Sequence, residues 1–181
     1  LIQRAAGRRT KKMTAIYNKE IKGSLTSMIG YVFIFFILLL EGIYFTAYNI
    51  QGAYPVFGNT LSAITFLFLI LIPVLTMKTL AEERRQKTDQ MLFTSPVSVE
   101  NIVLGKYLAL VTVYMIPVFV ICFYPLIMSK YGTVSYAMAY TAILGFAFMG
   151  FAELSIGVFI SSLTENPVIA AVVGFLVLFV C

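Results

Sequence analysis

Residues 107–128 read YLALVTVYMIPVFVICFYPLIM, an uninterrupted run without Asp, Glu, Lys or Arg. A helix of about 20 such residues crosses a hydrocarbon core about 30 Å thick. Four similar runs flank it, and the sequence predicts five membrane spans: roughly Met28–Tyr48, Leu61–Met77, Tyr107–Met128, Tyr136–Ile160 and Val168–Cys181. Each run is continuously apolar, whereas barrel strands alternate over about ten residues. The predicted fold class is therefore all-α, a polytopic transmembrane helical bundle.

The composition also indicates a chain that lies in lipid. Hydrophobic residues make up 60% of it and charged residues only 12%, against about 25% charged in a soluble domain. We expect residues 1–12, which precede Met13, to be upstream or vector-derived sequence, and residues 13–181 to form one transmembrane domain. Because the last apolar run stops at Cys181 without a polar flank, we expect a sixth span to be missing.

The basic residues are distributed unevenly between the connectors. Seven of the 13 Lys and Arg residues precede the first run, five lie within residues 78–106, and Lys130 follows the third run. Connectors rich in Lys and Arg stay on the cytoplasmic side of a membrane. The sequence therefore predicts a cytoplasmic N-terminus and a cytoplasmic connector between spans two and three. Counting spans places the turn at residues 161–166 on the same side.

The segment before the first span has an amphipathic pattern. Ile16, Ile21, Leu25 and Met28 recur at near-helical spacing, with charged residues between them. This pattern predicts a helix that lies along the inner membrane face. The alternative is a plain basic flank of the first span.

The connector at residues 78–106 reads KTLAEERRQKTDQMLFTSPVSVENIVLGK. Its strong helix formers predict a helix from Thr79 to Phe93, which residues 94–96 break. Ser98 is a suitable N-cap for a second helix that begins near Val99 and continues into span three. The alternative is a solvated loop of balanced charge without a partner.

This connector resembles the permease subunits of bacterial ATP-binding-cassette (ABC) exporters of the type 2 class. That family typically shows E-E-R-x-x-x-T-x-x-x-L-x-x-S-P-V between spans two and three, followed by a G-K pair where span three begins. The matching residues are Glu82, Glu83, Arg84, Thr88, Leu92, Ser95, Pro96, Val97, Gly105 and Lys106. The similarity covers nearly all of residues 13–181. The chain most resembles family members associated with gliding motility or with multidrug and lipid export. Lys87 stands where members commonly have Gly, and members commonly have six spans.

The resemblance implies an exporter of two permeases and two ATPases in the bacterial inner membrane. The implied partners are a cytoplasmic ABC ATPase subunit, a second permease copy or paralogue, and the lipid bilayer, with no nucleic acid. The helix around residues 82–92 would be a coupling helix seated in a groove of the ATPase. The turn after span four, with Thr164 and Glu165, would make a second contact. The implied substrate is amphipathic or hydrophobic.

The sequence lacks the usual residues of an ATP site or a metal site. Gly105 and Lys106 are followed by Tyr107 rather than by Ser or Thr, so they do not form a Walker-type phosphate loop. The chain has no His, and its two cysteines, Cys122 and Cys181, fall in predicted spans. We therefore expect no cofactor, metal, disulfide or enzymatic activity in this chain, and ATP to be bound by a partner subunit.

Two acidic residues fall inside predicted spans, where a charge costs at least about 2.5–3.5 kcal/mol unless it is paired or hydrated. We expect Glu153 to face the bundle or a wet cavity, either in a substrate pathway or as a structural acid. Glu41 lies nearer the outer end of span one, where we expect it to reach interfacial water. The alternative function is a proton-coupled secondary transporter or channel with Glu41 and Glu153 as relay groups. No inverted repeat is visible in the sequence to support it.

Span four carries two pairs of small residues, Thr141 with Gly145 and Gly157 with Ser161. This spacing lets helix backbones approach closely. Packing within the subunit is the expected cause, and an interface with a second permease is the alternative. Kinks are expected at three prolines, since each removes a backbone hydrogen bond: Pro73, Pro117 and Pro125.

Overall fold

A computed structural model describes residues 14, 16–25, 28–52, 56–77, 79–85, 99–130 and 134–180, with the backbone alone at 29, 82 and 83. Every regular element in this part of the chain is helical, which confirms the all-α fold class. In chain order the elements are α1 (residues 16–25), α2 (Met28–Tyr44), a π-helix (Phe45–Gln51), α3 (Phe57–Thr76), α4 (Ala81–Arg85), α5 (Val99–Ile121), α6 (Tyr124–Met128), α7 (Tyr136–Leu163) and α8 (Pro167–Val180).

Among the described residues, four stretches are long and apolar enough to cross a membrane, and we number them spans one to four: Gly30–Gln51, Phe57–Thr76, Val99–Met128 and Tyr136–Leu163. The fifth apolar run also forms a helix, α8, of which 14 residues are described. At about 1.5 Å per residue these cover roughly 21 Å, less than the roughly 30 Å of a hydrocarbon core. The bundle is thus polytopic, as its apolar runs predict.

Span three begins well before its apolar run. Its helix starts at Val99, where the connector predicts a second helix, and it continues through Lys106 into the apolar run. Residues 99–106 therefore extend a membrane-spanning helix on the connector side. The same helix therefore includes both polar and apolar residues.

Of the three prolines, Pro125 lies where the helix of span three is interrupted. α5 ends at Ile121 and α6 begins at Tyr124, with Pro125 in the first turn of α6, so span three is broken there rather than merely bent. Pro73 and Pro117 lie inside continuous helices. Kinks at those two positions stay a prediction.

One aromatic residue from each span meets at the centre of the bundle. Phe68 of span two lies 6.5 Å from Phe33, 5.8 Å from Tyr114 and 4.9 Å from Phe146, measured between ring centroids, and each pair is edge to face. The Tyr114 hydroxyl also donates a 2.9 Å hydrogen bond to the carbonyl of Phe146. A Cβ atom at Gly150 would overlap with the Tyr114 ring, so this glycine permits the close approach of spans three and four.

Spans two and four form the middle of the bundle. Span four packs against span two, span three and α8, and span two also packs against span one. The outward faces carry large exposed apolar side chains, among them Phe35, Phe66, Phe119 and Phe148. Such faces are unfavourable in water and are suited to contact with lipid or with another membrane helix.

Candidate functional site

A buried lysine joins three segments at the connector end of the bundle. Lys106 in span three is only 1% exposed. Its Nζ donates to Glu20 Oε1 of α1 at 3.1 Å and to the carbonyl oxygen of Thr79 at 3.0 Å. A buried ammonium group needs such partners because its desolvation is costly. The contacts therefore fix α1 and the end of span two to span three.

The turn that follows span two is itself closed by hydrogen bonds. The Thr79 hydroxyl donates to the carbonyl of Thr76 at 2.6 Å, and the Thr79 backbone N–H donates to the same oxygen at 3.1 Å. The turn therefore holds the Thr79 carbonyl in place for Lys106.

α1 makes a second contact with span three besides the ion pair of Glu20 and Lys106. The hydroxyls of Tyr17 in α1 and Thr112 in span three lie 2.9 Å apart.

Span four holds the start of the connector helix α4. The Ser161 hydroxyl oxygen accepts hydrogen bonds from the backbone N–H groups of Leu80, at 3.3 Å, and Ala81, at 3.1 Å. The first N–H groups of a helix have no partner within it, and a serine oxygen is a favourable acceptor for them. Here the serine comes from another helix 80 residues along the chain. α4 also packs against span four and α8.

Spans two and four approach each other closely just before this contact. A Cβ atom at Gly157 would lie 2.6 Å from the hydroxyl oxygen of Thr76. The predicted packing within the subunit is therefore confirmed for Gly157 and Ser161. It is wrong for Thr141 and Gly145, because both are exposed and no atom of the described chain lies within 4 Å of a Cβ built at Gly145.

The structure brings together the two segments that the resemblance implies as ATPase contacts. The two segments are α4 and the turn at residues 164–166. Together with the residues that hold this end of the bundle, Glu20, Thr79, Lys106 and Ser161, we call them the polar junction. The backbones of Glu82 and Glu83 lie in α4, Arg84 is half-buried and Arg85 is exposed. In the turn, Thr164 is half-buried and Glu165 is exposed. Four implied contact residues lie outside the described residues: Thr88, Leu92, Ser95 and Pro96.

Sequence reasoning missed the pairing of Lys106 with Glu20 and the role of Ser161. Lys106 was counted only as a motif residue and as a cytoplasmic charge. One signal was present in the sequence, since Lys106 is the one basic residue of a predicted helix that continues into an apolar run. Its partner is 86 residues away, however, and no local pattern identifies it.

Glu153 faces the inside of the bundle, as predicted. It is 6% exposed, and its Oε2 atom has no hydrogen-bond partner among the described residues. It lines a narrow cleft that leaves no room for a water molecule, together with Thr65, Phe68, Tyr114, Phe146, Met149 and Gly150. The cleft lies among spans two, three and four.

Glu41 does not reach interfacial water, so the expectation for this residue is wrong. It is 0% exposed, and neither carboxyl oxygen has a hydrogen-bond partner in the described part of the chain. The physical reason is that span one continues as a π-helix to Gln51, so about ten residues, or roughly 15 Å of helix, separate Glu41 from the end of the span. Its side chain also points into the bundle rather than out of it.

The two acids lie in separate surroundings. The Tyr124 hydroxyl would lie 4.0 Å from a Cβ atom at Gly42, the residue next to Glu41, and Tyr114 lines the same cleft as Glu153. Those tyrosines are ten residues apart on span three, roughly 15 Å at the helical rise. The carboxyl groups therefore do not form a pair, which is unfavourable for a direct proton relay between them.

The polar junction has the position that the resemblance implies for the cytoplasmic face of a permease. A family model described as ABC-2 family transporter protein matches residues 43–181. The chain belongs to this family. No curated protein and no solved structure matches the chain.

As an ABC-2 family member, the chain is a multi-pass membrane permease of ABC-type transport, and the resemblance seen in its connector is confirmed. The family match includes most of the polar junction, from Thr79 and α4 to Lys106, Ser161 and the turn after span four. It does not include Glu20 or Glu41.

Proposed function

We propose that this ABC-2 permease is the membrane subunit of an ATP-driven exporter for an amphipathic or hydrophobic substrate. A separate cytoplasmic ATPase subunit would bind and hydrolyse ATP, and the permease would hold no cofactor of its own. One observation carries the proposal: Ser161 joins α4 to the end of span four, so the two segments implied as ATPase contacts form one surface.

The hydrogen bonds of the polar junction support a mechanical role for this surface. α4 is tied to span four through Ser161, while Lys106 ties the turn before α4 to span three. A push on α4 therefore reaches the ends of spans two, three and four together. Charge-assisted hydrogen bonds are about twice as strong as neutral ones, which favours transmission over local bending.

A partner permease fits the exposed small-residue face of span four. Thr141 and Gly145 are not used for packing within the described bundle, and small residues let helix backbones approach closely. We propose that a second copy or a paralogue packs there. Glu153 is buried inside the bundle, so we propose that it lines the substrate pathway. The proposed location is the bacterial inner membrane with the N-terminus in the cytoplasm.

The test is recovery of an ABC ATPase with the tagged permease from its native membranes in mild detergent, identified by mass spectrometry. Arg85→Glu and Glu165→Lys reverse exposed charges on the proposed contact surface. Each is expected to reduce ATPase recovery about five- to tenfold, since like charges across an interface are repulsive. The matched control is Lys130→Glu, an equally exposed reversal on the other side of the membrane.

The control variant is expected to recover as much ATPase as the unaltered permease. Absence of any ABC ATPase from the unaltered sample would contradict the proposed function. Equal recovery with all three variants would show instead that the polar junction is not the contact surface.

A further inference from the structure

The outer half of the bundle contains a carboxyl group without a partner. Glu41 is fully buried in span one, and both of its oxygens lack a hydrogen-bond donor among the described residues. About 90% or more of buried polar groups in native proteins are satisfied, and an unsatisfied one destabilises the fold. A group that is kept at this cost is a candidate for binding something absent from the structure.

Aromatic rings from three spans meet about one turn beyond this carboxyl group. Phe45 is four residues after Glu41 and so lies on the same face of span one. Its ring centroid is 4.6 Å from that of Tyr124 and 6.2 Å from that of Phe57, and the Phe57 and Tyr124 centroids are 6.3 Å apart. We call these three rings the aromatic cluster.

The chemistry of this arrangement is complementary to a cation. The faces of aromatic rings carry partial negative charge and attract cations, especially ammonium groups that have left water. A carboxyl group beside such faces adds two acceptor oxygens. Hard metal ions need about six oxygen ligands, which the aromatic cluster does not supply. An ammonium group needs only acceptors for its N–H groups and an aromatic or apolar surface.

Gly42, the residue next to Glu41, lies beside the aromatic cluster. A Cβ atom at Gly42 would lie 4.0 Å from the Tyr124 hydroxyl. The cluster therefore adjoins the turn of span one that carries Glu41.

The local backbone is also unusual. Span one changes from an α-helix to a π-helix at Phe45, one turn after Glu41. π-Helical segments are rare and occur frequently at functional sites. Its residue Asn49 is buried and lies 2.5 Å from the Thr60 hydroxyl of span two. A change between the two helical forms would rotate Phe45 relative to Glu41, which provides a route for opening the closed site.

We propose that Glu41 and the aromatic cluster bind the ammonium group of an amphipathic amine, and that such amines are the transported substrate. The transport part of this inference rests on the proposed function, whereas the binding part does not. The ammonium group has two sources, a free amine or the headgroup of phosphatidylethanolamine.

The test measures binding of radiolabelled octylammonium to the purified permease in phosphatidylcholine nanodiscs by equilibrium dialysis, with empty nanodiscs to subtract partitioning into lipid. We expect saturable binding of octylammonium and none of octanol. Glu41→Gln keeps the shape of the side chain and removes its charge, and is expected to weaken binding about 10- to 100-fold. Phe45→Leu removes one ring face and is expected to weaken it about two- to fivefold.

The matched control is Glu100→Gln, which removes an exposed carboxylate near the start of span three and is expected to leave binding unchanged. Phosphatidylethanolamine in the nanodiscs distinguishes the sources, since displacement of the probe assigns the site to a lipid headgroup and retention assigns it to a free amine. Equal binding of octanol and octylammonium by the unaltered permease would overturn the proposal, with no variant needed. So would undiminished binding by Glu41→Gln.

The ATPase is absent from this assay. Loss of octylammonium binding with normal ATPase recovery from native membranes would therefore reject this site alone. Normal binding without any ATPase recovery would reject the proposed function alone.

Discussion

The ion pair of Lys106 and Glu20 is expected to contribute measurably to stability. Lys106→Gln shortens the side chain and removes its charge, so the contacts at 3.1 Å to Glu20 and 3.0 Å to Thr79 are both lost. A hydrogen bond to a charged group contributes about 1.5–3 kcal/mol, and removal of one partner of a buried pair costs about 3–5 kcal/mol. The Glu20 side chain is 17% exposed and regains some hydration. We therefore expect a loss of about 2–4 kcal/mol.

The assay is thermal unfolding of the purified permease in one detergent, followed by circular dichroism. For a chain of this size 1 kcal/mol corresponds to about 2–4 °C, so the expected decrease in Tm is roughly 5–15 °C. Glu20→Gln and the double variant complete a double-mutant cycle, in which residues in contact show a coupling energy of about 0.5–3 kcal/mol. Lys22→Gln removes an exposed charge from the same helix as Glu20 and is expected to change stability by no more than about 0.5 kcal/mol.

The same variants test the connection to transport. If Lys106 ties the connector to span three, Lys106→Gln should also reduce the effect of substrate on ATPase activity in the assembled complex. A Tm within about 2 °C of the unaltered permease, or a double variant whose cost is the sum of the two single costs, would refute the reasoning. In that case Lys106 would be held by packing and not by its ion pair.

Three further outcomes are expected. Gly157→Ala should destabilise the permease by about 1–3 kcal/mol because the added methyl group meets a threonine of span two. Gly145→Ala, in open space, should be neutral or stabilising by up to about 1 kcal/mol. Equal Tm values for the two variants would contradict this. In a cysteine-free background, a cysteine at Gly52 should react with an impermeant thiol reagent outside intact cells, and a cysteine at Arg85 should not. The reverse labelling pattern would show that the orientation in the membrane is the opposite one. Glu153→Gln should retain slower, ATP-dependent transport in inverted vesicles, whereas transport that ignores ATP and is abolished by an uncoupler would indicate a proton relay.

The helices were predictable from the sequence because lipid leaves few alternatives. Backbone N–H and C=O groups in a hydrocarbon core must be bonded within the chain, so long apolar runs form helices. Hydropathy therefore located spans one to four, and residues 99–106 are helical as the connector predicts. The extension of span one as a π-helix to Gln51 was not predictable, since Asn49 and Gln51 read as a polar connector. Burial of Asn49 against Thr60 is a tertiary contact.

The polar junction was predictable only in part. The connector motif indicated which segment would face a partner, because it combines strong helix formers with charges between two spans. It did not indicate what would hold that segment. The spacing of Ser161 predicts a small residue in helix packing, and its hydroxyl also accepts from the N–H groups of Leu80 and Ala81 at the start of α4. Hydrogen bonds between residues 80 or more positions apart depend on how the spans pack, and packing of apolar surfaces has no simple sequence pattern.

The distribution of satisfied and unsatisfied polar groups separates two functions within the bundle. At the connector end, Lys106 and Ser161 are buried and hydrogen-bonded, which makes that end stiff. Deeper in the spans, the buried side-chain oxygens without a partner in the described residues belong to Glu41 and Glu153. Under the proposed function, stiffness is required where a push from an ATPase enters, because a soft contact would dissipate it. Unsatisfied groups are then required where a substrate passes, because groups already paired have nothing to exchange for its contacts. The proposed function therefore gives a reason for keeping Glu41 and Glu153 in the membrane despite the cost of burying them.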